Sequence, residues 1–315
     1  MDISSVCILG GTGFVGRALA ERLSPLGMQV RIVTRSRPRA MPLTVLPTVD
    51  VVIADPQDGA ALARCFDNID AVVNLVGILN ESGGQTFQSC HVDLPRKVVD
   101  ACHLAGVRHL LHMSALGASD QAPSAYLRSK SAGEAAVRDT AGTLPVTVFR
   151  PSVIFGPDDR FLNTFVALLR WLPALPLAGA GARFQPIWVE DVARCFASAI
   201  GEPRAFGATF ELCGPRAYTL EELVRAAGAI VGVQRPLVPL RGALASLQAA
   251  VLGLLPGKLL TRDNLRSMSV DCVCTQEFAP LFGFQPAPLE AVASGYLAAT
   301  LARARYPRYR HDAGR

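Results

Sequence analysis

The sequence has no apolar run of the roughly 18–20 residues that a membrane-spanning helix needs; the nearest is the stretch 243–255. It also has no Cys-x-x-Cys pair, since its eight cysteines are scattered and lie mostly within apolar segments. Four of its five histidines, His91, His103, His109 and His112, likewise follow no metal-ligand spacing. We therefore expect no metal site, and reduced, buried thiols in a cytoplasmic protein.

Charge is also scarce, because only 18% of the residues are Asp, Glu, Lys or Arg and the net charge is +5. Most of that excess lies in the segment 301–315, where five arginines face one acid, Asp312. The rest of the chain is nearly neutral, which argues against a nucleic-acid-binding body. Half of the 315 residues are apolar, so the chain can bury a large core in one large or two modest domains.

The most informative segment is 6–16, Val-Cys-Ile-Leu-Gly-Gly-Thr-Gly-Phe-Val-Gly. A short apolar run predicts a buried strand, and the helical pattern after the glycines ends before Gly27, a typical C-cap. The spacing matches the G-x-G-x-x-G motif of dinucleotide sites, in which glycine allows a tight turn and close approach to a pyrophosphate. The first turn of the helix then holds the anion. Since this segment is structural, we expect no cleavable signal there.

Strand-like and helical segments alternate through the first half of the chain. This order predicts an α/β fold, a Rossmann-type doubly wound parallel sheet with a smaller, irregular C-terminal lobe. We expect strands at Val6–Leu9, Val30–Thr34, Val49–Ala54, Ala71–Val76, His109–Ser114, Val146–Arg150 and Phe210–Leu212, and helices at about 14–26, 58–66, 88–105, 123–139, 161–177 and 220–232. The predicted dinucleotide-binding domain is 1–150, continued at 184–215, and the small substrate-side lobe is 151–183 and 216–315 with its basic tail.

The second predicted strand is followed by basic and hydroxyl side chains, Arg35 and Ser36, and not by an acid. A carboxylate here would hold the ribose of NAD, whereas an arginine fork can bind a 2′-phosphate. We therefore predict a preference for NADP(H), with a solvated basic loop as the alternative. Asp55 is placed to reach the adenine amino group, and Val76 and Gly77 leave room for the ribose and phosphates.

Tyr126 and Lys130 are separated by one helical turn and share one helix face. An adjacent ammonium favours the phenolate of a tyrosine and can hold the nicotinamide ribose, which suits the pair for proton transfer. Ser114, at the end of a predicted strand, can hydrogen-bond a substrate carbonyl. Ser114, Tyr126 and Lys130 are therefore the candidate catalytic residues.

Together these residues resemble the short-chain dehydrogenase/reductase superfamily in its extended, atypical branch. The resemblance is narrower still: the chain is similar to bacterial relatives of the nucleotide-binding accessory subunit of mitochondrial complex I. It spans most of residues 4–300 and is carried by the segments Asn74–Gly77, His112–Gly117, Tyr126–Lys130, Gly133-Glu134, Arg150–Ser152, Phe155–Asn163 and Gln185–Asp191.

The resemblance implies a Rossmann fold that binds NADP(H), with Pro151, Ser152 and Val153 beside the nicotinamide. The expected cofactor-binding residues are Gly10, Thr12, Gly13, Phe14, Val15, Gly16, Arg35, Ser36, Asp55, Val76, Gly77, Tyr126, Lys130, Pro151, Ser152 and Val153. In the mitochondrial branch the nucleotide is thought to be structural, and a fungal branch is linked to coenzyme Q biosynthesis.

Three functions follow as hypotheses. The first is an NADP(H)-dependent oxidoreductase acting on a carbonyl or alcohol of an apolar, quinone-related substrate. The second is a non-catalytic, NADPH-binding accessory or assembly protein of a respiratory or quinone-biosynthesis complex. The third is a sugar-nucleotide epimerase or dehydratase, which the apolar C-terminal lobe makes the weakest.

Two segments suggest peripheral contact with the inner face of a membrane. The stretch 241–262 is apolar with basic ends, and 301–315 interleaves arginines with tyrosines. The alternatives are that the first is a core helix of the small lobe and that the second is a disordered, solubilising tail.

Overall fold

The structure is a computed structural model that describes residues 2–254, 258 and 260–297. The chain divides into two compact units. The first contains the residues up to Pro151 together with Val189–Leu212 and Cys274–Phe284. The second contains Ser152–Trp188, Cys213–Val273 and the residues from Gln285 onward.

The regular elements follow in chain order. The strands are β1 (Ser5–Leu9), β2 (Gln29–Thr34), β3 (Val49–Ile53), β4 (Ala71–Asn74), β5 (His109–Met113), β6 (Val146–Pro151), β7 (Ile154–Phe155), β8 (Leu175–Ala178), β9 (Arg183–Phe184), β10 (Ile187–Trp188), β11 (Thr209–Leu212), β12 (Tyr218–Thr219) and β13 (Leu237–Leu240). The α-helices are α1 (Phe14–Leu23), α2 (Arg37–Ala40), α3 (Gly59–Cys65), α4 (Leu94–Ala105), α5 (Ala125–Ala141), α6 (Leu162–Trp171), α7 (Val189–Ala199), α8 (Leu220–Ile230), α9 (Gly242–Leu254) and α10 (Arg262–Ser267). A π-helical turn, Gln88–Asp93, precedes α4.

The first unit is built on a seven-stranded sheet in the order β11-β6-β5-β4-β1-β2-β3. All of its pairings are parallel, and the order reverses at β1, as in dinucleotide-binding folds. Both faces of a parallel sheet are covered by helices, so its strands are apolar throughout; Val6, Cys7, Ile8 and Leu9 are fully buried. The predicted Rossmann-type sheet is confirmed.

The turn from β1 into α1 explains the glycines of the motif. Gly10 has a φ of +78°, and a Cβ there would lie 3.1 Å from the Leu75 carbonyl carbon. A Cβ on Gly16 would lie 2.5 Å from the Gly10 carbonyl oxygen. A larger residue at position 10 would therefore clash with the backbone after β4, and one at position 16 would push α1 away from the glycine loop.

One face of the sheet is covered by helices that pack in sequence, α3 against α4 and α4 against α5. Their apolar side chains, including Leu62, Val98 and Val137, form one buried cluster with Cys7 and Leu9 of β1. Helices α1 and α7 pack against each other. The strand ends are thereby held in register at the edge where the loops carry the candidate site.

The second unit departs from one expectation. Residues 161–177 do not form one helix, because α6 ends at Trp171 and β8 begins at Leu175, on either side of Pro173. The apolar stretch after Leu237 contains β13 and α9. A capping box formed by Thr219 and Glu222 is present at the start of α8.

The cysteines require a correction. Cys213 and Cys274 are disulfide-bonded, whereas the free cysteines include Cys7, Cys65, Cys90, Cys102, Cys195 and Cys272. The expectation of reduced thiols throughout is therefore wrong for two of the eight. Disulfide formation depends on which cysteines the fold brings together, and sequence spacing alone does not show this.

Candidate functional site

The three candidate catalytic residues lie close together in the first unit, at the carboxyl end of β5 and on α5. Helix α5 begins at Ala125 because the Ser124 hydroxyl accepts a hydrogen bond from the Leu127 amide at 3.2 Å, a normal N-cap. Lys130 Nζ donates to the carbonyl of Met113 at 3.1 Å. Since Met113 precedes Ser114, this bond brings the lysine to the strand end that carries the serine.

Ser114 is unusual among the buried side chains. Its amide donates to the Phe149 carbonyl at 2.7 Å, and only 3% of the residue is exposed. Yet its Oγ has no hydrogen-bond partner among the described residues. An unpaired buried hydroxyl costs about 1–3 kcal/mol, so this atom is available to bond an oxygen of a bound molecule.

Lys130 is buried as well. Burial lowers the pKa of Lys130 from 10.5 to about 8, and the negative charge of Glu134 opposes that shift. Glu134 in turn accepts two bonds from Arg150, from Nε at 2.9 Å and from Nη2 at 2.6 Å. This bidentate pair holds α5 on β6 and keeps a carboxylate near the ammonium.

The glycine loop suits a pyrophosphate. Helix α1 begins after Gly13, which provides no side-chain cap, so the amides of its first turn, from Phe14 and Val15 onward, can bond an anion. Beyond β4, a Cβ on Gly77 would lie 3.0 Å from Lys130 Nζ. Only a small residue leaves room there for a ribose beside the lysine, so these residues fit a dinucleotide.

The segment after β2 also fits the expected nucleotide contact. Arg35 is exposed, and among the described residues no carboxylate pairs with it. Thr34 Oγ1 accepts a hydrogen bond from the Ser36 amide at 3.2 Å and lies 3.4 Å from Thr12 Oγ1. These contacts tie the basic segment to the glycine loop.

Asp55 lies beside a cavity of about 550 Å³ along the edge strand β3 and helix α3. Its carboxylate accepts a hydrogen bond from the Gln57 amide at 3.1 Å. Of the other candidate site residues, neither Arg35 nor Lys130 lines this cavity. This cavity is therefore separate from the strand end that carries Ser114.

The three residues expected beside the nicotinamide lie where the sequence passes from the first unit to the second. Pro151 ends β6, and its carbonyl accepts from the Leu116 amide at 3.0 Å. Ser152 and Val153 belong to the second unit. The Ser152 hydroxyl already donates to the Cys272 carbonyl at 2.9 Å, so this side chain has a structural partner.

Sequence reasoning missed two side chains that order the loop after β4. The Val76 amide donates to Asn74 Oδ1 at 3.1 Å, and Asn74 Nδ2 lies 3.3 Å from His112 Nδ1. Burial, and then the charge of Lys130, lowers the pKa of His112 to about 3. Their positions in the sequence could have shown this, because Asn74 ends β4, His112 is the penultimate residue of the neighbouring strand β5, and both lie close to predicted site residues.

Residues 6–213 match the NAD dependent epimerase/dehydratase family. The chain belongs to this family. The match begins within β1 and ends one residue after β11, so it covers nearly all of the predicted nucleotide-binding region. Its members bind NAD or NADP, so the coarse cofactor prediction is confirmed, whereas the choice between the two nucleotides is not decided by the match.

The relatives include two differently named proteins. Over 292 residues the chain is 32% identical to the mitochondrial NADH dehydrogenase [ubiquinone] 1 alpha subcomplex subunit 9 of Rattus norvegicus, covering 90% of this chain and 77% of that protein. It is 31% identical over 237 residues to a ceramide reductase of Caulobacter vibrioides, covering 75% and 73%. The predicted resemblance to the complex I subunit is confirmed.

Among solved structures, the fold is similar to that of an NADPH-dependent quinone oxidoreductase of Escherichia coli in complex with NADPH. The TM-score is 0.74 at 20% identity, and the alignment covers 93% of this chain and 99% of the other. This likeness shows the fold.

The buried histidines make stability depend on pH. Burial lowers the pKa of His91 and His112 to about 3 and that of His109 to about 4. In the unfolded chain these histidines bind protons near pH 6.5. Their contribution to the free energy of unfolding is therefore complete above pH 6.5 and is lost as pH falls from 6.5 through the folded-state pKa values of about 3 to 4. We expect a loss of roughly 1 kcal/mol per pH unit per histidine. Urea unfolding at pH 7.5, 6.5 and 5.5 measures it.

A His109→Phe variant provides the control for that experiment. It removes one of the three titrating groups, so the dependence on pH should become weaker by about a third. A stability that stays constant between pH 7.5 and 5.5 would contradict the neutral state of these rings.

Proposed function

We propose that the protein is an NADP(H)-dependent oxidoreductase that interconverts a carbonyl and an alcohol on an apolar, quinone-related or long-chain lipid substrate. The observation that carries the proposal is the unpartnered, buried hydroxyl of Ser114 next to the contact between Lys130 and Met113. The name of the ceramide reductase relative supports a reductase acting on a lipid.

The chain supplies hydrogen bonds and a proton path. The Ser114 hydroxyl donates to the substrate oxygen and orients it. The phenol of Tyr126 gives a proton to that oxygen in reduction and takes one from it in oxidation. Lys130 holds the ribose hydroxyls and favours the phenolate form of Tyr126. A bound nicotinamide nucleotide supplies the hydride-transfer chemistry.

Preference for the phosphorylated nucleotide is part of the proposal. Arg35 follows β2 and is exposed, and the neighbouring exposed side chains Arg37 and Arg39 add positive charge. An acid that would repel a 2′-phosphate is absent from the segment 34–40. A guanidinium fork in this position can bind the phosphate through two charge-assisted hydrogen bonds.

The Arg35→Asp variant tests the nucleotide preference. Loss of a bidentate contact should weaken NADPH binding about 10- to 150-fold and leave NADH binding nearly unchanged. Fluorescence titration of both nucleotides measures this. Arg39→Asp, with the same change of charge on α2, is the matched control and should have a smaller effect. Equal affinity of the wild-type protein for the two nucleotides would refute the preference.

The Tyr126→Phe variant tests catalysis. It removes the ionisable oxygen and should lower turnover by about 10²–10⁴-fold, with NADPH affinity nearly intact. The assay follows NADPH consumption with quinones, hydrophobic ketones and long-chain keto lipids. Tyr218→Phe is the matched control, because the Tyr218 hydroxyl bonds Glu290 in the second unit and turnover should persist.

A second candidate function is that of a non-catalytic, NADPH-binding accessory protein of a respiratory or quinone-biosynthesis complex. It is favoured by the 32% identity to a complex I subunit over 90% of the chain. Tight NADPH binding without turnover across the substrate screen would support it. Retention of full turnover by Tyr126→Phe would contradict the assigned role of the phenol.

We also propose that the protein binds anionic membrane surfaces through α9. Among the described helices, none is long and apolar enough to cross a bilayer. One stripe of α9 is nevertheless 52 to 88% exposed and consists of Leu244, Leu247, Val251 and Leu254. Ala249, on the opposite side, is buried, and Gln248, beside the stripe, donates from Nε2 to the Pro176 carbonyl of β8 at 2.8 Å. Helix α9 therefore packs on the second unit with one side and exposes this apolar stripe on the other.

The positive charge of the segment around α9 favours an anionic lipid surface as the partner of this exposed stripe. The segment 232–261 contains no acid, while Arg235, Arg241 and Lys258 are basic. Each basic side chain near an anionic surface contributes about 1 kcal/mol, in addition to the burial of the leucines. The predicted contact through 301–315 lies outside the described residues, as do residues 255–257 and 259.

Vesicle sedimentation tests this surface. Binding to phosphatidylglycerol vesicles at low salt should exceed binding to phosphatidylcholine vesicles, and Leu247→Glu should weaken it by about tenfold or more. The matched control is Leu104→Glu, because Leu104 on α4 is 80% exposed but belongs to the first unit. Equal sedimentation of the two variants would overturn the role of α9.

A further inference from the structure

The π-helical turn Gln88–Asp93 brings one histidine against the catalytic helix. The pattern 88–105 predicted a continuous helix, but the turn before α4 has the wider π geometry, which is often found at functional sites. A Cβ on Gly133 of α5 would lie 2.0 Å from the carbonyl oxygen of His91. Only glycine therefore allows α5 to pack this closely against the turn.

Both ring nitrogens of His91 bond to segments of the candidate site. The Ile78 amide donates to Nε2 at 3.0 Å, so Nε2 is the acceptor and the proton is on Nδ1. Nδ1 then donates to Ser129 Oγ at 2.8 Å, and Ser129 Oγ donates to the Tyr126 carbonyl at 2.7 Å. One imidazole thus connects the loop after β4 to the helical turn between Tyr126 and Lys130.

The ring also packs against the phenol. The centroids of His91 and Tyr126 are 5.8 Å apart, with the rings nearly perpendicular. Phe87 stacks on His91 at 5.4 Å and meets the edge of Tyr126 at 6.1 Å. The rings of His91 and Phe87 restrict the position of Tyr126, in a geometry that aromatic pairs favour.

The surroundings keep the imidazole neutral. Burial, then the charge of Lys130, then His112, lowers the pKa of His91 to about 3. A neutral ring can accept from Ile78 while it donates to Ser129, whereas a doubly protonated ring would lose the first of these bonds.

We propose that His91 is a positioning residue. It holds the Gly77–Ile78 loop and the Tyr126–Lys130 turn in the single arrangement that fits the nicotinamide ribose. For its substrate chemistry this inference rests on the proposed function. Its claim about the nucleotide site is separate, because NADPH affinity can be measured without a substrate.

The test compares NADPH affinity in variants of two buried histidines. His91→Phe keeps an aromatic ring but removes both hydrogen bonds, and it should weaken NADPH binding by about tenfold. His91→Gln restores an acceptor for the Ile78 amide and should recover most of the affinity. His109→Phe is the matched control, since His109 is equally buried but bonds Thr147 at 2.9 Å. It should lower stability and leave NADPH affinity unchanged.

Nitrogen-15 spectra of the imidazole groups provide a readout that does not depend on any variant folding. His91 should be neutral and protonated on Nδ1 from pH 5 to 8 in the wild-type protein. Protonation on Nε2, or equal NADPH affinity of wild type and a folded His91→Phe, would overturn the inference. Absence of turnover overturns the oxidoreductase alone, and absence of NADPH binding by the wild type overturns both.

Discussion

The buried ammonium of Lys130 is the constraint on which the rest of the site depends. Burial of a positive charge costs free energy unless partners compensate it. The Met113 carbonyl provides one such partner and the nearby carboxylate of Glu134 another. Gly77 must then be small beside the lysine, and His91 must stay neutral next to it. The buried charge of Lys130 therefore constrains the size or the charge of each neighbouring residue in the site.

Those parts of the fold that depend on local chemistry could be predicted from the sequence. Glycine at position 16 is required by a contact within a few residues, that with the Gly10 carbonyl oxygen. The parallel sheet follows from the alternation of strands and helices, and the Tyr126–Lys130 pair from helical periodicity. In each case the residues that explain the feature lie close together in the sequence.

Features that depend on contacts between distant segments could not be predicted in this way. The role of His91 follows from the approach of Gly133, 42 positions later in the chain, and from a π turn that resembles an ordinary helix in the sequence. The Ser152 hydroxyl, expected near the nicotinamide, bonds Cys272 across 120 positions.

An enzyme and a non-catalytic accessory protein differ in which features of Ser114 and Lys130 they would need. A protein that only holds a nucleotide gains nothing from a buried hydroxyl without a partner, and replacing Ser114 by alanine would remove a cost of about 1–3 kcal/mol. It equally has no need for a lysine whose pKa is lowered to about 8 by burial. Perturbed and unsatisfied groups that converge at one strand end are typical of sites that perform chemistry. The cost of keeping Ser114 and Lys130 in this arrangement therefore favours the oxidoreductase.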